Sequence, residues 1–139
     1  MIVPLSDEEA RELLRRNKLA RLGCITDKWP YVVPVNYIYD DGAVYLHSLP
    51  GMKINALRAR PEACLQVDEI EDDRRWRSVI AFGHYEEIKD SRRSFYLNEL
   101  LRHFPWLTPV ESRIAFDAEP VPVIIFRIRI EELTGLKEE

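Results

Sequence analysis

This chain is poor in the residues that metal and covalent chemistry require. Of its 139 residues, three are histidine and two are cysteine. His47, His84 and His103 share no close spacing, and no cysteine or carboxylate cluster supports them. No metal centre is therefore expected. Cys24 and Cys64 lie far apart, each in an apolar run. Such cysteines are ordinarily small core residues, and no disulfide framework is implied. No apolar run approaches the roughly 20 residues that cross a bilayer. The start, Met-Ile-Val-Pro-Leu followed by acids, has neither the basic region nor the apolar core of a secretion signal. A cytoplasmic protein is expected. No G-x-S-x-G, G-x-G-x-x-G or Walker loop occurs. The net charge of −4 offers no general basic face for nucleic acid.

What is present suits one domain with a core. Hydrophobic residues make up 46% and charged residues 32% of the chain, and the length fits a single unit, residues 1–139. Ser6-Asp7-Glu8-Glu9 carries the capping-box pattern, and Ala10, Leu13 and Leu14 follow at helical spacing. Strands are predicted over Leu19 to Ile25, Tyr31 to Tyr39, Ala43 to Ser48, Ala63 to Glu69, Arg75 to Ile88 and Pro122 to Ile130. Pro34 marks the second as an edge or a bulge. Asp40-Asp41-Gly42 predicts a hairpin turn that pairs it with the third. Helices are expected over Met52 to Arg60 and Asp90 to Phe104, the latter burying Phe95, Leu97, Leu100, Leu101 and Phe104. Pro105 to Pro122 reads as loop and Glu131 to Glu139 as a polar tail. The fold expected is α+β, an antiparallel six-stranded barrel with helices packed outside.

One junction gathers polar chemistry. In Tyr45-Leu46-His47-Ser48-Leu49-Pro50-Gly51-Met52-Lys53 a strand ends, turns at Pro-Gly and enters a helix. A helix start presents unpaired N–H groups and a positive dipole end, which favour a phosphate. Ser48 adds a hydroxyl and Lys53 a charge. The partner segment Val32 to Tyr37 offers backbone groups around Pro34 and the Asn36 amide. Together they suit a ring with a phosphate tail. A polar hairpin end with a solvated lysine explains the same residues equally well.

The order of these pieces resembles the pyridoxamine-phosphate-oxidase-like flavoproteins, the FMN-binding split barrels, and within them the nitroimidazole-resistance branch. The matching pieces are Pro34-Val35-Asn36-Tyr37, Asp41-Gly42, Tyr45-Leu46-His47-Ser48, Gly51-Met52-Lys53, Val67-Asp68, Trp76 to Gly83, and Phe126-Arg127-Ile128 leading to Leu133-Thr134-Gly135. The resemblance implies a homodimer with FMN at its interface. Val33, Pro34, Val35, Asn36 and Tyr37 would run past the isoalloxazine ring. His47 and Ser48 would lie near the ribityl chain and phosphate, with Lys53 paired to the phosphate. Trp76, Ser78 and Val79 would approach the flavin. The histidine matching His47 is regarded as functional in that branch; the same position also suits a residue that only shapes the wall.

The vitamin B6 oxidases of this superfamily end in an arginine-leucine-x-proline motif. This chain ends Thr134-Gly135-Leu136-Lys137-Glu138-Glu139, so oxidation of pyridoxamine phosphate is not expected. The activity implied is transfer of electrons from a nicotinamide donor to a small acceptor, a nitro compound or a quinone. Two other readings stay open: a flavin or haem binder that stores, senses or scavenges without turnover, and a cofactor-free interaction module.

Overall fold

The computed structural model describes residues 1–104 and 123–139. The expected loop Pro105 to Pro122 lies wholly outside them. Ten further elements follow β1 (Ile2–Pro4): α1 (Asp7–Arg16), β2 (Leu19–Ile25), β3 (Pro30–Asn36), β4 (Ile38–Asp40), β5 (Ala43–Ser48), α2 (Met52–Ala59), β6 (Glu62–Asp72), β7 (Arg75–Glu87), α3 (Arg92–His103) and β8 (Ile124–Glu138). All strand pairs are antiparallel, in the order β3-β2-β6-β7-β8-β5-β4, with β1 also on β8. The α+β split barrel expected from the sequence is present, with eight strands in place of six.

The first helix starts as its residues dictate. Ser6 Oγ accepts from the Glu9 N–H at 3.1 Å, and Glu9 Oε1 accepts from the Ser6 N–H at 3.2 Å. Ala10, Leu13 and Leu14 turn inward. Burying each leucine side chain contributes roughly 1.5–3 kcal/mol. They meet Leu22, Val44, Leu46, Leu65, Val79 and Phe126 in the main core.

Three differences from the sequence reading have physical causes. Tyr31 to Tyr39 is not one strand, because Tyr37 breaks it. Its ring is fully buried, its hydroxyl donates to Leu14 O at 2.6 Å and its N–H donates to Lys18 O. The segment before the break pairs with β2, and only Ile38–Asp40 pairs with β5. The stretch Glu131 to Glu139 is strand rather than tail, since β7 and β1 supply ladder partners that polar side chains do not forbid. In α3, Tyr96 is buried and Phe95 is exposed. Tyr96 stacks on Tyr45 at 3.6 Å between centroids and donates to Asp40 Oδ2 at 2.9 Å, which fixes the helix face.

Two glycines matter to the shape. At Gly83 the β7–β8 register shifts, and an added Cβ would lie 1.9 Å from Arg129 O. That approach of two backbones tolerates glycine alone. Gly42, at φ 79° beside Asp41 at φ 45°, forms the tight β4–β5 turn. Pro34 sits on an edge strand as expected, and Pro30 shares both its strand and its parity.

Among the described residues no helix is long and apolar enough to cross a membrane, and no cluster of three metal-ligating side chains forms.

Candidate functional site

Alternation along the strands sends one set of residues into the core and the other to an outer sheet face. Register aligns Val32, Gly23, Cys64 and Phe82 in one row across β3, β2, β6 and β7 on that outer face. Gly23 is what makes the row concave. Cys64 Sγ lies so close over it that a Cβ there would stand 2.8 Å away. The result is an apolar hollow of about 310 Å³, walled by Ile25, Tyr31, Val32, Ala63, Cys64 and Phe82.

A second hollow, of about 440 Å³, adjoins it at Ile25. It lies along α2. Gly51, Met52, Asn55, Ala56, Ala59 and Arg60 form one wall, and Ile25, Thr26 and Asp27 the other. The start of α2 opens into this space. Gly51 is its N-cap, no side chain caps it, and no acidic residue occupies its first turn. Its leading N–H groups and dipole therefore favour an anion from outside the helix. Lys53, on the first turn, is half-buried. Burial raises the Cys24 thiol pKa, and the Lys53 charge pulls against that rise.

The α2 wall is anchored from behind. Arg58 Nε binds Glu87 Oε1, which also accepts from the Tyr85 hydroxyl at 2.6 Å. The Arg58 bond, helped by the Tyr85 bond, lowers the Glu87 pKa from 4.5 to about 2, against the cost of burial. The same burial and that carboxylate push Tyr85 well above its ordinary range.

The residues singled out from the sequence divide. Lys53 and Gly51 belong to the α2 junction. Pro34 and Asn36 lie exposed on β3, whereas Val33 and Val35 face the core. The Tyr37 side chain is committed to the core and to Leu14 O, so it shapes β3. Ser48 was expected to donate to a phosphate. Its side chain is 5% exposed and its hydroxyl donates to Leu49 O at 2.8 Å instead. His47 shares a face of β5 with Ala43 and Tyr45, opposite to Ser48, because neighbouring strand residues point apart. Val79 is in the core. Ser78 accepts from Gln66 Nε2 at 3.0 Å on the outer face and lines a different hollow. Trp76 pairs with Ile70, eight residues or about 26 Å along β6 from Glu62. Its indole donates to Glu138. The chain's own fold does not bring Trp76 to the α2 end. Ile25, Thr26, Asp27 and Asn55 were missed. They read as a strand end, a turn and a helix surface, and only the topology sets them around one space.

These features define an antiparallel split barrel whose outer face holds a flat apolar hollow beside an anion-attracting helix start. The sequence profile of the pyridoxamine 5'-phosphate oxidase family matches residues 6–137, and the chain belongs to that family. An uncharacterized protein of Rhizobium meliloti (strain 1021) is 32% identical, over 94% of this chain and 91% of its own length. The crystal structure of a FAD-binding protein from Mesorhizobium loti superposes with a TM-score of 0.81 and 35% identity, covering 100% of this chain and 99% of that one. A FAD- and haem-binding protein from Mycobacterium smegmatis shares the fold, with a TM-score of 0.67 and 21% identity over 96% of this chain and 71% of that one.

Proposed function

We propose that this protein binds a flavin nucleotide, with its ring in the apolar hollow and its phosphate at the start of α2, and uses it to pass electrons from a nicotinamide donor to a small acceptor. The observation that carries this reading is the junction at Ile25. There a shallow apolar space meets an uncapped helix start with a neighbouring lysine and no acid in its first turn. A flavin has the same two ends. The residues fit the group: Gly23, Val32, Cys64 and Phe82 would seat the flat ring, and the Gly51–Lys53 turn would hold the phosphate with a charge-assisted bond. FMN is the smallest nucleotide with both parts, and FAD, which the similar protein from Mesorhizobium loti binds, contains the same unit.

When bound, the flavin supplies the hydride and single-electron chemistry. The chain's own residues orient and enclose it. The outer face supports assembly into a homodimer that would cover the ring, since Trp29, Val32 and Ile70 are each about two-thirds or more exposed (71%, 67% and 66%). No described carboxylate or histidine lines the apolar hollow except Glu62 at its rim. Proton exchange with a reduced ring would therefore depend on solvent or on the acceptor.

A visible spectrum of the purified protein, before and after adding FMN or FAD, tests the binding. Flavin bands with quenched fluorescence are expected. A Soret band would replace flavin with haem, and a protein that stays colourless with both nucleotides would overturn the reading. Anaerobic bleaching by NADH or NADPH tests the electron transfer.

A further inference from the structure

The apolar hollow has a corner that its walls do not use. Glu62 and Cys64 on β6 and Phe82 on β7 line it. The next residue on the same face of β7 is His84, directly across from Glu62. Side chains paired in this way have Cβ atoms about 4.5–5.5 Å apart, so the imidazole stands at the rim beside Glu62 and Phe82. Its setting is built by an irregularity in the sheet. Phe82 pairs with Glu132 and Gly83 with Ile130, which leaves Glu131 over as an extra residue. A bulge of this kind re-aims a side chain. Here Glu131 Oε1 comes to 2.7 Å from His84 Nδ1. Arg129 Nη2 lies 3.6 Å from the same oxygen, and Arg129 Nη1 lies 3.3 Å from Glu86 Oε1. A carboxylate has no hydrogen to give, so Nδ1 carries the hydrogen and donates. Nε2 is then the nitrogen that gains and loses a proton. The side chain is 40% exposed, so water can reach it.

We infer that His84, oriented by Glu131, is the proton donor to the acceptor that is reduced at the mouth of this hollow. The inference rests on the flavin reading above and goes beyond it, since that reading assigns no acid. Reduction of a quinone to a hydroquinone takes two electrons and two protons. Both electrons and one proton arrive as the hydride that a reduced flavin supplies. The second proton passes from His84 Nε2 to a quinone oxygen. The N–H bond breaks, the O–H bond forms, and the neutral imidazole takes a new proton from water. The charged groups around the ring are Glu62 across on β6, Glu86 next along β7, and Arg129 and Glu131 on β8. Of these, Glu131 makes the bond that sets the tautomer.

Stopped-flow mixing of the flavin-loaded, NADH- or NADPH-reduced protein with a small benzoquinone tests it. In His84→Gln, flavin binding and anaerobic bleaching should stand, and reoxidation by the quinone should slow roughly hundredfold. In the wild type that step should slow as rising pH removes the imidazole proton, and in His84→Gln this pH dependence should be gone. Added imidazole should restore part of the rate to His84→Ala, which a purely structural histidine would not allow. Glu131→Leu should also slow the step, and should add nothing to the loss in His84→Gln. A further measurement needs no flavin. Nitrogen-15 NMR of the apoprotein should show neutral His84 with its hydrogen on Nδ1, and Glu131→Leu should remove that preference. Reoxidation of His84→Gln at the wild-type rate and with the wild-type pH profile would overturn the proton donor and leave the flavin reading standing. A hydrogen on Nε2 of the neutral ring would do the same. Wild-type protein that binds no flavin, or whose flavin neither nicotinamide bleaches, would overturn the reading beneath and the donor with it.

Discussion

The two hollows beside Ile25 share a wall and differ in almost everything else. One is set by strand register. Four residues in a row across four strands leave an apolar dish because the second is glycine. The other is set by a helix end, where backbone groups and one lysine supply the chemistry. The first can discriminate by shape and offers little polarity. The second can discriminate by charge and is indifferent to shape at its start. A ligand that satisfies both must be flat and apolar at one end and anionic at the other. On the flavin reading, an apolar row and a helix terminus would perform most of the recognition, which leaves few polar side chains to stand out in the sequence.

The sharpest way to break the comparison is to fill the dish. Gly23→Phe should abolish flavin binding, a loss of roughly hundredfold or more, while the far-ultraviolet circular dichroism stays that of a folded protein. Retained binding would remove the ring from this hollow. Lys53→Ala attacks the other hollow. It should weaken binding by roughly 1.5–3 kcal/mol, about ten- to a hundredfold, with the loss shrinking as salt rises. Unchanged affinity would place the phosphate elsewhere. Tyr37→Phe touches neither space. It removes the bond to Leu14 O and should lower stability by about 1 kcal/mol, or about 4 °C in melting temperature, with flavin affinity intact. A large loss of affinity would return Tyr37 to the site.

The smallest effect concerns the anchor behind α2. Glu87 is ionised far below its ordinary range because Arg58 and Tyr85 bond to the carboxylate. A lowered pKa in the folded state stabilises the protein above the unfolded value of 4.5, and that contribution disappears as the pH falls toward about 2. Melting temperature should therefore decline across that window, less steeply in Glu87→Gln. Arg16 exerts the same pull on Glu69, which also falls from 4.5 to about 2. The double variant Glu69→Gln/Glu87→Gln should flatten the decline further.

Local signals in the chain reported local structure well. The Ser6 to Glu9 box, the Asp41-Gly42 turn and the strands Leu19–Ile25 and Ala43–Ser48 each concern residues a few positions apart, and each stands in the fold as read. The strand-to-helix junction was legible for the same reason, since Gly51 and Lys53 lie within one turn of the α2 start. What escaped depended on distant partners. The strand character of Glu131 to Glu138 comes from β7 and β1 alongside it and not from its own polar composition. The break at Tyr37 comes from one hydroxyl reaching into α1. Cys24 and Cys64 looked like core residues, and Cys24 is one. Cys64 lines the dish only because β6 lies beside Gly23.

Pro30 and Pro34 carry a consequence for how copies of this chain meet. They stand opposite Ile25 and Arg21 on the outermost strand, four residues apart, so on one side of β3 the donors at both positions flanking Val32 are missing. A foreign strand laid along that edge would find its ladder interrupted at every second rung. Growth of the sheet by templating is disfavoured at that margin.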